Sequence, residues 1–392
     1  MTVPSIPAMQ SAAEAPRPNW EAPQPDWDKT RQEFPSLAGW TYLNTATFGQ
    51  LPARADEAVA RHLARRRENA CSDFLSWFGD HDDLRARLAQ FISATPAEIA
   101  FLPNSSWALG HLLTGLDWRP GDEAVTAEGE FPNHLYAVEH LARRGVRPVR
   151  CPYDEVLSAL TPRTRLVLLS TVNYSTGYRG PVAELAAEFR KRGILFYLDA
   201  TQSLGALRLN FQEIQPDLLA VNCYKWMLAP NGAAFMAVAP ALRQRLEPLA
   251  IGWRSHHDWR RVDWLHEGAP ELVDAAEKYE AGMLASLPLY ALGASLDLML
   301  ELTPARIEER VLGLAQDVRA RIRALGGEPL PYDNTAIVAA RFPGHDASAL
   351  AARLKQQRVL VSARHGLLRV STHFYNDESD LDRFAEVLSK LL

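Results

Sequence analysis

Lysine is scarce in this chain, which has six lysines against thirty-six arginines. Five of the six have charged, polar or terminal neighbours, as in "RKRG" for Lys191 and "AEKYE" for Lys278. Lys225 does not: it stands between two aromatics in "VNCYKWMLAP", at the end of an apolar run. Two chemistries fit that setting. A rim lysine lays its stem on apolar surface and keeps its charge in water. A desolvated lysine is kept partly neutral, and its amine can form a Schiff base with a carbonyl.

Polar residues at the ends of other apolar runs bear on the choice. Asp199 closes "FYLD", 26 residues before Lys225, and Asn173 closes "TRLVLLSTVN", 26 residues before Asp199. The string D-A-T-Q, Asp199 to Gln202, is a capping box for a following helix. The same carboxylate, buried at a strand end, could hold a cofactor's ring nitrogen protonated. Asn173 also suits an ordinary turn. In "FLPNSSWAL", Asn104, Ser105 and Ser106 start a helix after a strand, which serves either as an N-cap or as an anion site.

Each 26-residue interval matches one strand-to-strand step of a βαβ unit. The chain from 51 to 284 alternates short, wholly apolar runs with amphipathic ones, a pattern that predicts a mostly parallel sheet covered on both faces. Ligands then bind at the carboxyl ends of the strands, where these residues lie. The expected architecture is α/β: a large domain over 51–284 and a smaller α+β C-terminal domain over 285–392. Residues 31–50 are expected to pack with the small domain. Residues 1–30, with six prolines, read as a flexible arm.

Composition removes other classes. A net charge of −5 gives no electrostatic footprint for nucleic acid or an anionic membrane. Three separated cysteines form no disulfide framework, and a reducing, cytoplasmic setting is expected. No stretch has the apolar length of a membrane span, and no signal peptide is expected, because the first 30 residues lack a basic start followed by an apolar stretch. There is no G-x-G-x-x-G, as a dehydrogenase would need, no Walker loop and no H-E-x-x-H. His256 and His257 are expected to line a mouth or lie exposed rather than bind metal. Trp253, Arg254, His256 and Trp259 suggest a lid over substrate.

The string "LDATQSLGALRLNFQEIQPDLLAVNCYKWMLAPNGAAFMAV" resembles the class V aminotransferase family of pyridoxal 5′-phosphate (PLP) enzymes, of fold type I. That family includes cysteine desulfurases, selenocysteine lyases, kynureninase and isopenicillin N epimerase-like proteins. The similarity runs from "YLNTATFGQLP" to "RVSTHFYNDESDLDRF". It implies that Lys225 carries the PLP Schiff base, that Asp199 pairs with the pyridine nitrogen and that Gln202 bonds the phenolic oxygen. Asn104, Ser105, Ser106, Asn222 and Tyr224 match phosphate-cradle positions, and Phe131 matches the ring-stacking position. Asn173 would lie near the cofactor oxygen and the substrate carboxylate, and Arg369 would grip that carboxylate.

The implied activity is PLP chemistry on an α-amino acid in a homodimer with active sites at the interface. Aminotransferase-type chemistry is the family default, with a C–S or C–Se lyase or an epimerase-like enzyme as the alternative. A non-catalytic binding protein is more distant. No cysteine precedes the arginine in "VLVSARHGLLRV", which argues against persulfide delivery. Gly282-Met283 stands where the family has Gly-Thr, so the hydroxyl contact to a neighbouring subunit's phosphate is lost, while Gly282 still permits close backbone approach.

Overall fold

The computed structural model describes residues 24–263 and 268–392. Its strands are β1 (Thr41–Tyr42), β2 (Ile99–Leu102), β3 (Glu123–Ala127), β4 (Arg147–Cys151), β5 (Thr164–Ser170), β6 (Leu195–Asp199) and β7 (Leu218–Asn222). There follow β8 (Ala234–Val238), β9 (Glu328–Pro329), β10 (Ile337–Arg341), β11 (Val359–Leu360), β12 (Ser362–Arg364) and β13 (Leu367–Ser371). Seven of them form one sheet in the order β2-β8-β7-β6-β5-β3-β4. Only β8 runs against its neighbours, as the mostly parallel pattern predicts.

Both faces of this sheet are covered. Phe196 and Leu198 of β6 join one apolar core, while Leu195 and Tyr197 join the other, the period-two alternation of a strand buried on both sides. Register then sets the site. Ser170 pairs with Asp199, and Asp199 with Ala220, so the ends of β5, β6 and β7 share one edge. Strand β2 runs parallel to β7 across β8 and delivers Asn104 to the same edge.

A second, antiparallel sheet has the order β12-β13-β10-β9. The helix Ser286–Leu302 precedes it but packs elsewhere: Leu289, Leu292, Leu296 and Met299 are buried in the core that holds Leu84, Leu88 and Phe101. Its apolar 3–4 spacing serves the large sheet. The core of the small sheet contains Leu314, Val318, Val338, Val370 and Phe384, with Leu43 inserted from the N-terminal segment.

That segment crosses from one unit to the other. Strand β1 pairs in parallel with β11, and Ser371 N–H donates to Leu43 O at 2.9 Å. Further on, Gly49 N–H donates to Tyr224 O at 2.9 Å. The flexible arm expected over 1–30 lies outside the described residues as far as 23. Beyond that the chain is docked: Trp27–Arg31 is a short helix, and Arg31 bonds Tyr375 O and pairs with Asp380, both at 2.7 Å.

The expected lid is differently employed. Arg254 is fully buried, 3.1 Å from Glu277 and 2.8 Å from Glu280, with its guanidinium 4.0 Å from the Trp259 ring centre. Arg85 pairs with Glu280 from the other side at 2.7 Å. Buried charges need fixed partners, so this cluster ties the loop to the sheet instead of covering a ligand. His256 and His257 pack ring to ring at 4.4 Å. Among the described residues no cluster of three or more metal-ligating side chains occurs, and no helix is long and apolar enough to cross a membrane.

Candidate active site

Lys225 lies three residues past β7, in a loop shaped by close approach on two sides. A Cβ on Gly49 would stand 2.0 Å from Lys225 O, and one on Gly205, at φ +103°, would stand 2.1 Å from Trp226 O. Only glycine fits at either place. Lys225 is 8% exposed, and its Nζ forms no hydrogen bond with any described residue. The amine faces the rings of Phe131 and Tyr224, at 5.5 and 5.6 Å from their centres. Burial lowers its pKa from 10.5 to about 8; the Asp199 charge opposes this, and Arg369 and Arg364 reinforce it.

Asp199 is buried at the end of β6, and its Oδ1 accepts the Thr201 N–H at 2.8 Å. Behind it lies His134, fully buried, with Nε2 3.7 Å from Asp199 Oδ2 and Nδ1 3.2 Å from Glu130 Oε2. These are ion pairs rather than aligned hydrogen bonds. Glu130 in turn accepts from Ser170 N at 2.7 Å and from Ser170 Oγ at 2.5 Å. Burial alone would lower the His134 pKa, but Glu130 and Asp199 raise it to about 9. Burial alone would raise that of Asp199; His134 and Thr201 outweigh it and hold the carboxyl below its usual range. Asp199 is therefore an anion, and His134 is a cation at neutral pH.

The strand-end residues converge on this edge with the following partners. Asn222 Oδ1 accepts from Ser105 N at 2.9 Å, and its Nδ2 donates to Ser105 Oγ at 2.7 Å. Asn104 caps the same helix, taking Ser106 N–H at 3.1 Å. The first two N–H groups of the expected phosphate cradle thus already have side-chain acceptors, leaving hydroxyls and the outer amide protons as further donors. Gln202 donates to Ala46 O at 3.1 Å and accepts from Trp226 Nε1 at 2.9 Å, with one amide proton remaining.

Asn173 behaves mainly as a turn residue, its Oδ1 accepting from the N–H and hydroxyl groups of Ser175 and Thr176. Phe131, 37% exposed, stands edge-on to Tyr174 at 5.2 Å. Gly282 does not join the group in the single chain: its N–H donates to Glu280 O, and an added Cβ would meet nothing within 4 Å. Met283 beside it is 54% exposed.

Arg369, on β13, is only 1% exposed. Its Nε donates to Ser362 Oγ at 3.0 Å, Nη1 to Tyr174 O and Nη2 to Thr47 Oγ1 at 2.7 Å. Burial and the neighbouring Arg364 push its pKa down to about 9. Sequence reasoning missed Glu130, His134, Thr47, Tyr174 and Arg364. The i, i+4 spacing of Glu130 and His134 in "EGEFPNH" was the available signal for the first two.

Three features define the chemistry. A buried amine and a buried carboxylate of opposite charge influence one another electrostatically yet make no ion pair within 4 Å. An aromatic ring faces the amine. A buried guanidinium without a carboxylate partner among the described residues waits nearby for an anion. The Cys223 thiol, buried and pushed well up by desolvation, is no nucleophile.

Comparison with known proteins agrees. The family described as Aminotransferase class-V matches residues 79–384. Isopenicillin N epimerase of Amycolatopsis lactamdurans is 30% identical, over 90% of this chain and 95% of its own. A probable cysteine desulfurase of Methanothermobacter thermautotrophicus is 25% identical, over 92% of this chain and 97% of its own. Among solved structures, a C-DES mutant with glycine covalently linked to its PLP cofactor shares the fold at TM-score 0.85 and 24% identity, covering 92% of this chain and 98% of that one. The apo cysteine desulfurase of Thermococcus onnurineus NA1 does so at 0.84 and 22%, covering 93% and 97%.

Proposed function

The chain belongs to the class-V aminotransferase family, and from that premise we propose that it is a PLP-dependent enzyme acting at the Cα of an amino acid, by aminotransferase-type chemistry. The observation that carries this reading is Lys225: a buried amine with its pKa near 8, held apart from the ionised Asp199. The residues present fit the cofactor. Lys225 would hold it covalently, Asp199 would meet the pyridine nitrogen and Phe131 would cover a ring face. Ser105, Ser106, Asn104, Asn222 and Tyr224 border the phosphate end. PLP supplies an electron sink for negative charge at the substrate Cα.

The rest is the work of this chain. Arg369 binds the substrate carboxylate through its two free N–H groups and so orients Cα. Lys225 Nζ takes the Cα proton, a role suited to an amine that is substantially neutral near pH 8. His134 and Glu130 keep Asp199 charged, and Phe131 with Tyr174 screens the amine from water. Lys225, acting from one side, is also the group placed to return the proton. The proposal includes a homodimer, in which the open backbone at Gly282 is free to meet a second copy.

A C–S lyase or epimerase-like reaction is the second reading. It is favoured by the relatives named above and by the contact of Tyr174 Oη with His365 Nε2 at 2.8 Å, which offers a second proton donor. A single-turnover spectrum with a panel of amino acids separates the two. Accumulation of pyridoxamine phosphate is the expected result. Rapid return of the starting spectrum with pyruvate, sulfide or inverted amino acid released would replace the first reading with the second. Absence of a lysine-bound chromophore in wild-type protein given PLP would end both.

A further inference from the structure

We infer that Arg364 forms a second anion subsite beside Arg369, so that the substrate is an amino acid whose side chain carries a carboxylate or another oxyanion. This rests on the reading of the site as an amino-acid PLP enzyme. The pairing of the two arginines follows from strand register. Ser362 lies opposite Arg369 and Arg364 opposite Leu367, so these four residues share one face of the hairpin formed by β12 and β13. Arg364 and Arg369 are therefore diagonal neighbours on that face. A two-residue turn, His365 at φ 48° and Gly366 at φ 76°, holds the register.

Both guanidinium groups reach the same hydroxyl: Arg369 Nη2 bonds Thr47 Oγ1 at 2.7 Å, and Arg364 Nη2 lies 3.4 Å from it. Among the described residues, neither has a carboxylate within ion-pair distance. Elsewhere in the protein, Arg31, Arg54, Arg85 and Arg254 each have one. Two adjacent cations removed from bulk water and lacking an anion repel one another, and bound anions relieve that cost.

Donor counting indicates two anions rather than one. Arg369 uses Nε and one proton of each Nη on Ser362, Tyr174 and Thr47. Two protons remain, one on each Nη, which match the two oxygens of a single carboxylate. Arg364 donates only to Ala363 O, at 2.7 Å, and weakly to Thr47, so most of its donors are unfilled. It is half-buried where Arg369 is fully buried, and it adjoins the exposed His365. The second anion thus lies on the mouth side of the α-carboxylate, where a substrate side chain extends.

The test is a binding titration of PLP-loaded protein, followed by cofactor absorbance and by calorimetry. The ligands are glutamate, 2-aminoadipate and cysteate against glutamine, norleucine and methionine. The acidic set should bind at least about tenfold more tightly. Arg364→Gln should bring the acidic-to-neutral ratio to near one, and Arg364→Lys should keep part of it. Equal binding of both sets by wild-type protein overturns the inference, whatever the variants do. So does an Arg364→Gln variant that weakens both sets equally, because Arg364 would then serve the α-carboxylate. If no amino acid perturbs the spectrum or produces heat, the amino-acid reading itself fails.

Discussion

His134 stands directly behind Asp199, its Nε2 3.7 Å from the carboxylate and its Nδ1 3.2 Å from Glu130. The carboxylate expected to meet a pyridine nitrogen thus has a buried cation at its back and a second carboxylate beyond that. Replacing the cation removes the main influence that opposes desolvation of Asp199. His134→Leu is expected to raise the Asp199 pKa and weaken PLP binding by about tenfold or more, since each pKa unit corresponds to a factor of ten. Equilibrium dialysis of PLP against the variant and wild type checks this. An unchanged dissociation constant would show that Thr201 alone holds the charge.

The same pair has a pH signature. The folded pKa of His134, about 9, lies above the unfolded value near 6.5. Its stabilisation is therefore complete below about pH 6.5 and is lost as pH rises through 9. Denaturant titration of wild-type apoprotein should show this decline, and His134→Leu should not.

Lys225 contributes with the opposite sign. Its folded pKa, about 8, lies below 10.5, so holding the buried ammonium destabilises the fold fully below pH 8 and progressively less up to 10.5. Lys225→Met should accordingly stabilise the apoprotein at pH 7 by about 3 kcal/mol, with the gain fading by pH 10.5. In the wild type, capture of added PLP should be half-maximal near pH 8. Mass spectrometry after borohydride reduction should locate the adduct on Lys225 alone.

Gly49→Ala places a methyl group against Lys225 O, where the built Cβ stands at 2.0 Å. Backbone must move, and a cost of about 1–3 kcal/mol is expected. The informative readout is the ratio of effects: PLP affinity should fall along with thermal stability, because the displaced atoms belong to the lysine proposed to hold the cofactor.

For Arg369→Lys, the point charge survives and the two-pronged geometry does not. KM for amino-acid substrates should rise about tenfold or more, the worth of one charge-assisted hydrogen bond to the carboxylate. PLP affinity should hold within about twofold, as dialysis would show.

Much of this site was legible in the sequence, for a definite reason. Lys225 and Asp199 end apolar runs one βαβ step apart, and parallel register brings such ends to one edge. Asn104 and Ser105 were legible by the same logic, although the N–H groups of Ser105 and Ser106 proved to be capped by Asn222 and Asn104. Arg369 was found by family resemblance, since an arginine in a short strand looks solvated until its neighbours are known. Glu130 and His134 look local, four residues apart at a helix start. That they face Asp199 depends on β3 lying beside β5 and β5 beside β6, an order no interval along the chain encodes. Thr47 and Tyr174 were hidden likewise, because they meet Arg369 only through the packing of three distant segments. The buried Arg254 cluster shows the converse error: an aromatic and basic loop resembles a binding surface until its charges find Glu277 and Glu280.

The segment from Leu43 to Gly49 has a mechanical consequence. Thr47 bonds Arg369, the arginine proposed to receive the substrate's carboxylate, and two residues later Gly49 is wedged against the carbonyl of Lys225. Two residues of backbone therefore link a contact of the proposed carboxylate site to the backbone of the proposed base. On the proposed roles, the carboxylate site and the base are joined through one short stretch of chain, so a displacement of Thr47 would reach the backbone of Lys225.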